Sequence, residues 1–309
     1  MPDFKFTPQY IYAYKSGELD NKIKLSEKIL KKCALCPQFC GINRNLEYGK
    51  CNSGIEPVVS SYNSHFGEEP PITGIYGSGT IFFSNCTMNC IYCQNYPISQ
   101  LGKGKRVGFE DLADMMLYLQ TKKCHNINFV TPTHFVSHIL KSLRIAVKKG
   151  LHIPLVYNTS GYESPITLQL LDGIIDIYLP DIKYTDDSIA YELSGVKNYT
   201  YFNRLAIKEM FRQVGLLEED SDGIARKGII IRHLVLPGNI RNSMRVFDFL
   251  AENISKDVTV SLMAQYFPAY KAVEHITLNR KITKEEYETV LNYALDLGFE
   301  NILIQELDE

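Results

Sequence analysis

The sequence predicts an α/β protein built on a parallel sheet, with a cysteine-rich segment ahead of it. Three observations carry that expectation. From Thr80 onward, short apolar runs alternate with segments of helical periodicity. Two of the runs, 175–179 and 229–235, are apolar almost throughout, as in strands covered on both faces. Seven of the eight cysteines fall in two tight groups before residue 94.

The 309 residues allow one large domain or two smaller ones. With 45% hydrophobic and 22% charged residues, the balance is that of a soluble globular chain. A net charge of −2 and a pI near 6.4 give no basic footprint for nucleic acid. No apolar run approaches the ~18 residues of a membrane span, and Met1-Pro2-Asp3-Phe4-Lys5 does not begin a signal peptide. Clustered thiols at this length argue against a secreted disulfide framework; they read as reduced, cytoplasmic and mostly metal-binding.

Residues 1–75 are expected to form an N-terminal extension. A short helical pattern runs from Leu25 to Leu30, and Cys33, Cys36, Cys40 and Cys51 follow as a complete four-thiol set. Such a set suits tetrahedral zinc or a fully ligated iron–sulfur cluster, and spacing does not choose between them. Residues 55–79, rich in Pro, Gly and Ser, read as a connecting loop. Residues 76–309 are the main body. Strands are predicted at 80–84, 127–131, 153–158, 175–179, 229–235 and 258–264, with a last one at 301–305. The helices between them are predicted at 110–122, 133–149, 168–171, a pair across 188–217, 242–252 and 283–297. Strands alternating with helices imply right-handed parallel crossovers.

Directly after the first of these strands comes Cys86-Thr87-Met88-Asn89-Cys90-Ile91-Tyr92-Cys93. Three thiolates can hold three irons of a 4Fe–4S cubane and leave the fourth open, whereas structural zinc is normally closed by four ligands. The CxxxCxxC spacing, with Tyr92 before Cys93, resembles the signature of the radical S-adenosylmethionine (SAM) enzymes. That resemblance implies a SAM molecule chelated by the open iron, one-electron cleavage to a 5′-deoxyadenosyl radical, and hydrogen abstraction from a substrate. It also implies a partial (β/α)6 TIM-like barrel, with the site at the C-terminal ends of the strands.

The strand ends are similar to those of the activating enzymes of glycyl radical proteins, such as the pyruvate formate-lyase activating enzyme. The resemblance covers about residues 33–265 and includes Cys33-Ala34-Leu35-Cys36-Pro37. It implies SAM contacts at Asn158 and Thr159, at Asp181 and Lys183, and at Arg232. Arg232 is expected to face away from His233, because side chains alternate along a strand. Thr131-Pro132-Thr133-His134 reads as a helix start facing a carboxylate, with Thr131, Thr133 and His134 as candidates for the SAM amino contact. Tyr92 is a further cofactor-side candidate. The implied partners are a low-potential donor of flavodoxin or ferredoxin type, for which Lys103-Gly104-Lys105-Arg106 is a candidate landing place, and a glycyl radical protein. Hydrogen abstraction from a small molecule and a SAM-independent electron carrier are the alternatives. Gln265-Tyr266-Phe267-Pro268-Ala269-Tyr270 suggests an aromatic wall, with Phe267 in the core. Cys124 reads as a buried thiol.

Overall fold

The structure is a computed structural model, and it describes residues 6–306; Met1-Pro2-Asp3-Phe4-Lys5 and residues 307–309 lie outside it. Each predicted apolar run becomes a strand of one sheet. Six strands, β2 (Ser78–Phe83), β4 (Ile127–Val130), β5 (Leu155–Thr159), β6 (Ile177–Pro180), β8 (Ala225–Leu234) and β9 (Thr259–Met263), lie parallel in that spatial order. β10 (Ile302–Ile304) continues the parallel array beyond β9. Helices fill the crossovers: α5 (Phe109–Thr121), α6 (Val136–Lys148), α7 (Pro165–Leu171), α8 (Asp187–Ser194), α9 (Tyr199–Val214), α10 (Ile240–Asn253) and α11 (Lys284–Asp296). Local chemistry marks their starts. Pro165 follows the capping Ser164, Asp186 caps α8, and Thr283 forms a reciprocal box with Glu286 on α11.

Strand alternation sorts the apolar residues into two cores. Ile127, Phe129, Tyr157, Tyr178, Ile229, Ile231, Val260 and Leu262 face the helices. Val156, Ile177, Leu179 and Ile230 face the other way, into the concave interior. The sheet does not close, since its path ends at β10 on one side and at β3 (Lys105–Arg106) on the other. It is a partial (β/α)6 TIM-like barrel, as the sequence led us to expect.

The expectation of a plain connecting loop at 55–79 is corrected. β1 (Val58–His65) pairs antiparallel with β2, and the short β3 (Lys105–Arg106) pairs with β1. A turn of helix, α3 (Pro70–Thr73), then enters the barrel interior, where Ile72 joins Val156, Ile177, Leu179, Ala225 and Ile230 in the inner core. Pro and Gly set the bends here, and the apolar residues between them were too few to show a period. The single helical pattern expected before Cys33 is two helices, α1 (Gln9–Ser16) and α2 (Glu18–Leu30), hinged at Gly17 with φ 80°. They lie on the outer helix layer. Tyr10 donates to the Ile153 carbonyl, and Asp176 accepts the Gln9 amide.

Candidate active site

The cysteine loop leaves the C-terminal end of β2 and is fastened on three sides. The Asn89 and Ile91 amides donate to the Ser194 and Leu193 carbonyls, at 2.9 Å each, at the end of α8. The Ile91 carbonyl accepts from the Lys271 and Ala272 amides. The N-terminal segment grips the third side, through Gln38 to the Thr87 carbonyl and Asn85 to the Ser53 hydroxyl.

Each sulfur of Cys86, Cys90 and Cys93 has its own hydrogen-bond partner. The Met88 amide meets Cys86 at 3.4 Å, the Ser194 hydroxyl donates to Cys90 at 3.0 Å, and the Ser99 hydroxyl pairs with Cys93 at 3.0 Å. Behind Cys90 the relay continues from Ser194 to Tyr184 and on to the Tyr92 hydroxyl, 2.6 Å from that of Tyr184. Tyr92 is therefore buried and turned into a tyrosine network, with the Tyr266 ring 6.2 Å away. Burial, then neighbouring Cys90, pushes the Cys86 thiol up to about 12. Burial also pushes Cys90 up to about 11, against the pull of Lys183. Such thiols keep their protons until a metal replaces them.

Among the described residues no three His, Cys, Asp or Glu side chains converge closely enough to grip one metal ion. A cubane is wider than an ion, and thiolates take its corners from separate directions. Three thiols with individual hydrogen bonds and a nearby lysine fit three corners of such a cluster.

The second half of the site is a row on the concave face. Asn158 of β5, Asp181 after β6, Arg232 of β8 and Ser261 of β9 follow one another across the sheet, Asp181 and Arg232 as a parallel bridge. Arg232 Nε donates to Asp181 at 2.9 Å, and its Nη2 to the Asn158 side-chain oxygen at 2.6 Å. Lys183 Nζ sits 2.6 Å from the other Asp181 oxygen. Burial alone would raise Asp181, but Arg232 and Lys183 hold it below the ordinary carboxylate range. Burial would lower Lys183, yet Asp181 and Cys90 outweigh it and keep the ammonium charged. His233 faces the opposite way, as strand alternation requires, and bonds the Ile182 carbonyl and Ser243.

The remaining candidates lie elsewhere. Thr133 and Thr159 both donate to the buried Glu163, Thr133 at 2.6 Å, on the helix-facing side. Thr131 turns the chain at φ 57°, a costly conformation for a β-branched residue, while its amide donates to the Asn158 carbonyl. His134 is buried and held neutral, its pKa lowered to about 3 mainly by burial, with Nε2 on the Ser84 carbonyl.

Sequence reading missed Arg44, Glu68, Glu69, Tyr184 and Ser194. Arg44 is 1% exposed. Its guanidinium donates to the Gly54 and His134 carbonyls and lies 3.9 Å from the sulfurs of both Cys33 and Cys51. No carboxylate pairs with it among the described residues. Cys36 is buried, and Cys40 and Cys51 both border Gly49. Glu68 reaches the inner row from the loop before α3, 3.7 Å from Arg232 Nη1 and 3.5 Å from the Asn158 amide nitrogen. Burial pushes Glu68 up to about 7, Arg232 pulling it down while Glu69 and Asp181 add to the rise. No periodic signal surrounds any of these five. Beyond the row, Tyr266 is buried and Tyr270 stacks on Tyr96 at 5.1 Å. Phe267, expected in the core, is 46% exposed, because the chain after β9 turns outward there. Cys124 is buried as expected.

With this geometry in view, the family follows. The Radical SAM superfamily profile matches residues 80–250, and the chain belongs to that superfamily. Membership implies a 4Fe–4S cluster and SAM. Uncharacterized protein MJ0674 of Methanocaldococcus jannaschii is 34% identical over 299 residues, 93% of this chain and 82% of that protein. The pyruvate formate-lyase 1-activating enzyme of Escherichia coli K12 is 27% identical over 176 residues, 52% of this chain and 69% of the enzyme. Among solved structures, SuiB of Streptococcus suis bound to precursor peptide SuiA superposes with a TM-score of 0.49 at 13% identity, over 72% of this chain and 46% of SuiB. The chain thus spans about half the length of SuiB. No described helix is long and apolar enough to cross a membrane.

Proposed function

We propose that this chain is a hydrogen-abstracting radical SAM enzyme whose SAM-binding cluster is held by Cys86, Cys90 and Cys93. The observation that carries the reading is the juxtaposition of three individually hydrogen-bonded thiols with a buried, charged Asp181–Lys183–Arg232 group on the concave face. With the cluster and SAM bound, one low-potential electron would cleave the sulfonium to methionine and a 5′-deoxyadenosyl radical. The chain's own residues do the positioning. Lys183, next to Cys90, and Arg232 offer fixed positive charge to a methionyl carboxylate. Asp181 holds both cations in place and remains an acceptor for an amino group. Asn158 braces Arg232. Tyr92, Tyr184 and Ser194 support Cys90. Thr133 and Thr159 enter as supports, since Glu163 already takes their hydroxyls, and His134 as a tie between Arg44 and Ser84. Thr131 remains the candidate for the amino contact, supported by its strained turn at the end of β4.

A second metal group on Cys33, Cys36, Cys40 and Cys51, within an extension of residues 1–75 on a core of 76–309, belongs to the same proposal. A buried guanidinium without a carboxylate partner suits an anionic thiolate-bound group, which we take to be an iron–sulfur cluster. A flavodoxin- or ferredoxin-type donor would supply the electron. Activation of a glycyl radical protein is supported by the similarity to the Escherichia coli activating enzyme. A small-molecule substrate is favoured by α3 and Glu68, which already occupy the interior that a polypeptide would have to enter.

Anaerobic reconstitution tests this. We expect about eight irons per chain with both sites loaded, and about four in a quadruple variant of the N-terminal cysteines. SAM should perturb the EPR signal of the reduced wild type, and Cys90→Ala should lack that signal. A loaded, reducible cluster whose signal ignores SAM would overturn the reading.

A further inference from the structure

The fold leaves several polar groups in the barrel interior without partners. Asn128, on the inner face of β4 and fully buried, leaves its carboxamide oxygen without a hydrogen-bond partner. It lies beside Glu68. Glu69 is 9% exposed, its Oε2 is also unpartnered, and it forms no ion pair among the described residues. Buried polar groups are normally satisfied by protein, water or ligand, and the unpartnered Glu69 and Asn128 oxygens mark an interior built to receive something.

Glu68 and Glu69 border a cavity of about 90 Å3 between the segment before α3 and the inner faces of β8, β9 and β10; Asn128 is not among its walls. Its walls include Glu68, Glu69, Arg232, Ser261, Met263 and Leu303. Charge decides what kind of group it suits. Lys183 and Arg232 both pair with Asp181, so three carboxylates (Glu68, Glu69, Asp181) face two cations. The excess is negative once Glu68, pushed up to about 7, is ionised. Position separates the cavity from the SAM side. Lys183 stands beside Cys86 and Cys90, whereas no residue of the cysteine loop lines the cavity, which lies across Arg232 from them.

We propose that this cavity is a substrate subsite for a primary ammonium group carried on a small molecule. Glu69 Oε2, a Glu68 oxygen and the Ser261 hydroxyl oxygen, all from residues of the cavity wall, would accept the three N–H bonds of the ammonium. Met263 and Leu303 would cover the first carbons of its chain. The inference rests on the radical SAM reading in placing the substrate inside the barrel, and it goes beyond that reading in naming the group recognised. An amine seated here is anchored on the opposite side of Arg232 from the cluster, leaving the rest of the molecule to reach toward it.

The test uses ethylammonium chloride as probe on the full-length, reconstituted protein, with binding followed by saturation-transfer NMR. Sodium chloride, potassium chloride and tetramethylammonium chloride at equal ionic strength are the comparison arms. Saturable ethylammonium binding is expected in the wild type, ~10-fold or more weaker in Glu69→Gln and weakened likewise in Ser261→Val. Saturating SAM should leave it unchanged. Glu69→Gln keeps the side-chain shape, and Ser261→Val narrows the cavity from the opposite wall with both carboxylates intact, so either variant can report if the other misfolds. The proposal is overturned by absence of binding in the wild type, by undiminished binding in the folded variants, by displacement with sodium or potassium, or by displacement with SAM. Reductive SAM cleavage is measured on the same wild-type preparation. Cleavage without ethylammonium binding removes the amine subsite and leaves the radical reading; ethylammonium binding without cleavage supports the subsite and removes the radical reading.

Discussion

Lys183 carries its charge in a largely buried setting because Asp181 sits 2.6 Å away and Cys90 lies near. If it fixes the SAM carboxylate, Lys183→Met should weaken SAM binding about 10- to 100-fold, the range for losing one charge-assisted hydrogen bond. Equilibrium dialysis with labelled SAM measures this, and unchanged binding would remove Lys183 from the site. Glu163 gives a prediction about pH. Burial pushes its carboxyl from the ordinary 4.5 up to about 7, although Thr133 and Thr159 donate to it. Between those values the folded chain holds a proton that the unfolded chain has released. Folding stability from this group therefore falls as pH rises from about 4.5 to about 7. Glu163→Gln mimics the protonated form. Relative to wild type it should gain on the order of 2–3 kcal/mol between pH 4 and pH 8, by urea denaturation of both proteins. A pH-independent difference would show that Glu163 is ionised in the folded state. At this scale the sequence was most informative where side chains bind by type alone. Cys86, Cys90, Cys93, Asp181, Lys183 and Arg232 stand out by identity and position. Arg44 and Glu69 look like ordinary surface charges until burial is known.

The segment from β1 to α3 shows what an element can conceal. Pro70 and Pro71 start the short helix, and Ile72 supplies its one deep anchor, 0% exposed among inner-face residues. Ile72→Ala should cost about 2–4 kcal/mol by leaving a cavity that the strands cannot close, seen as a lower urea midpoint with unchanged m-value. A loss below 1 kcal/mol would mean that the segment is loosely held. The parallel strands were legible because both of their faces are buried, which writes unbroken apolar runs into the sequence. β1 was not legible. It lies toward the sheet edge with an exposed stretch around Tyr62, and its Ser, Asn and Tyr residues carry no run of apolar positions. The helix pair α1–α2 was half legible, since the left-handed turn at Gly17 breaks one amphipathic pattern into two.

Across the whole molecule, the N-terminal segment, the cysteine loop and the barrel rim form one connected structure. Arg44 links the Cys33 and Cys51 sulfurs to the His134 carbonyl, and His134 in turn reaches the Ser84 carbonyl, two residues before Cys86. The Ser164 and Thr167 hydroxyls at the start of α7 donate to the Leu35 carbonyl, docking the same segment on the outer layer. Such long-range contacts leave no local pattern, which is why the arrangement of the two cysteine groups relative to each other was absent from the sequence while each group was plain.

The most direct test of the central claim is 5′-deoxyadenosine formation from SAM by the anaerobically reconstituted, dithionite-reduced chain, beside Cys90→Ala. Product from the wild type and none from the variant is the predicted result. Equal product from both, or none from a wild type whose cluster is loaded and reduced in the presence of SAM, would contradict it.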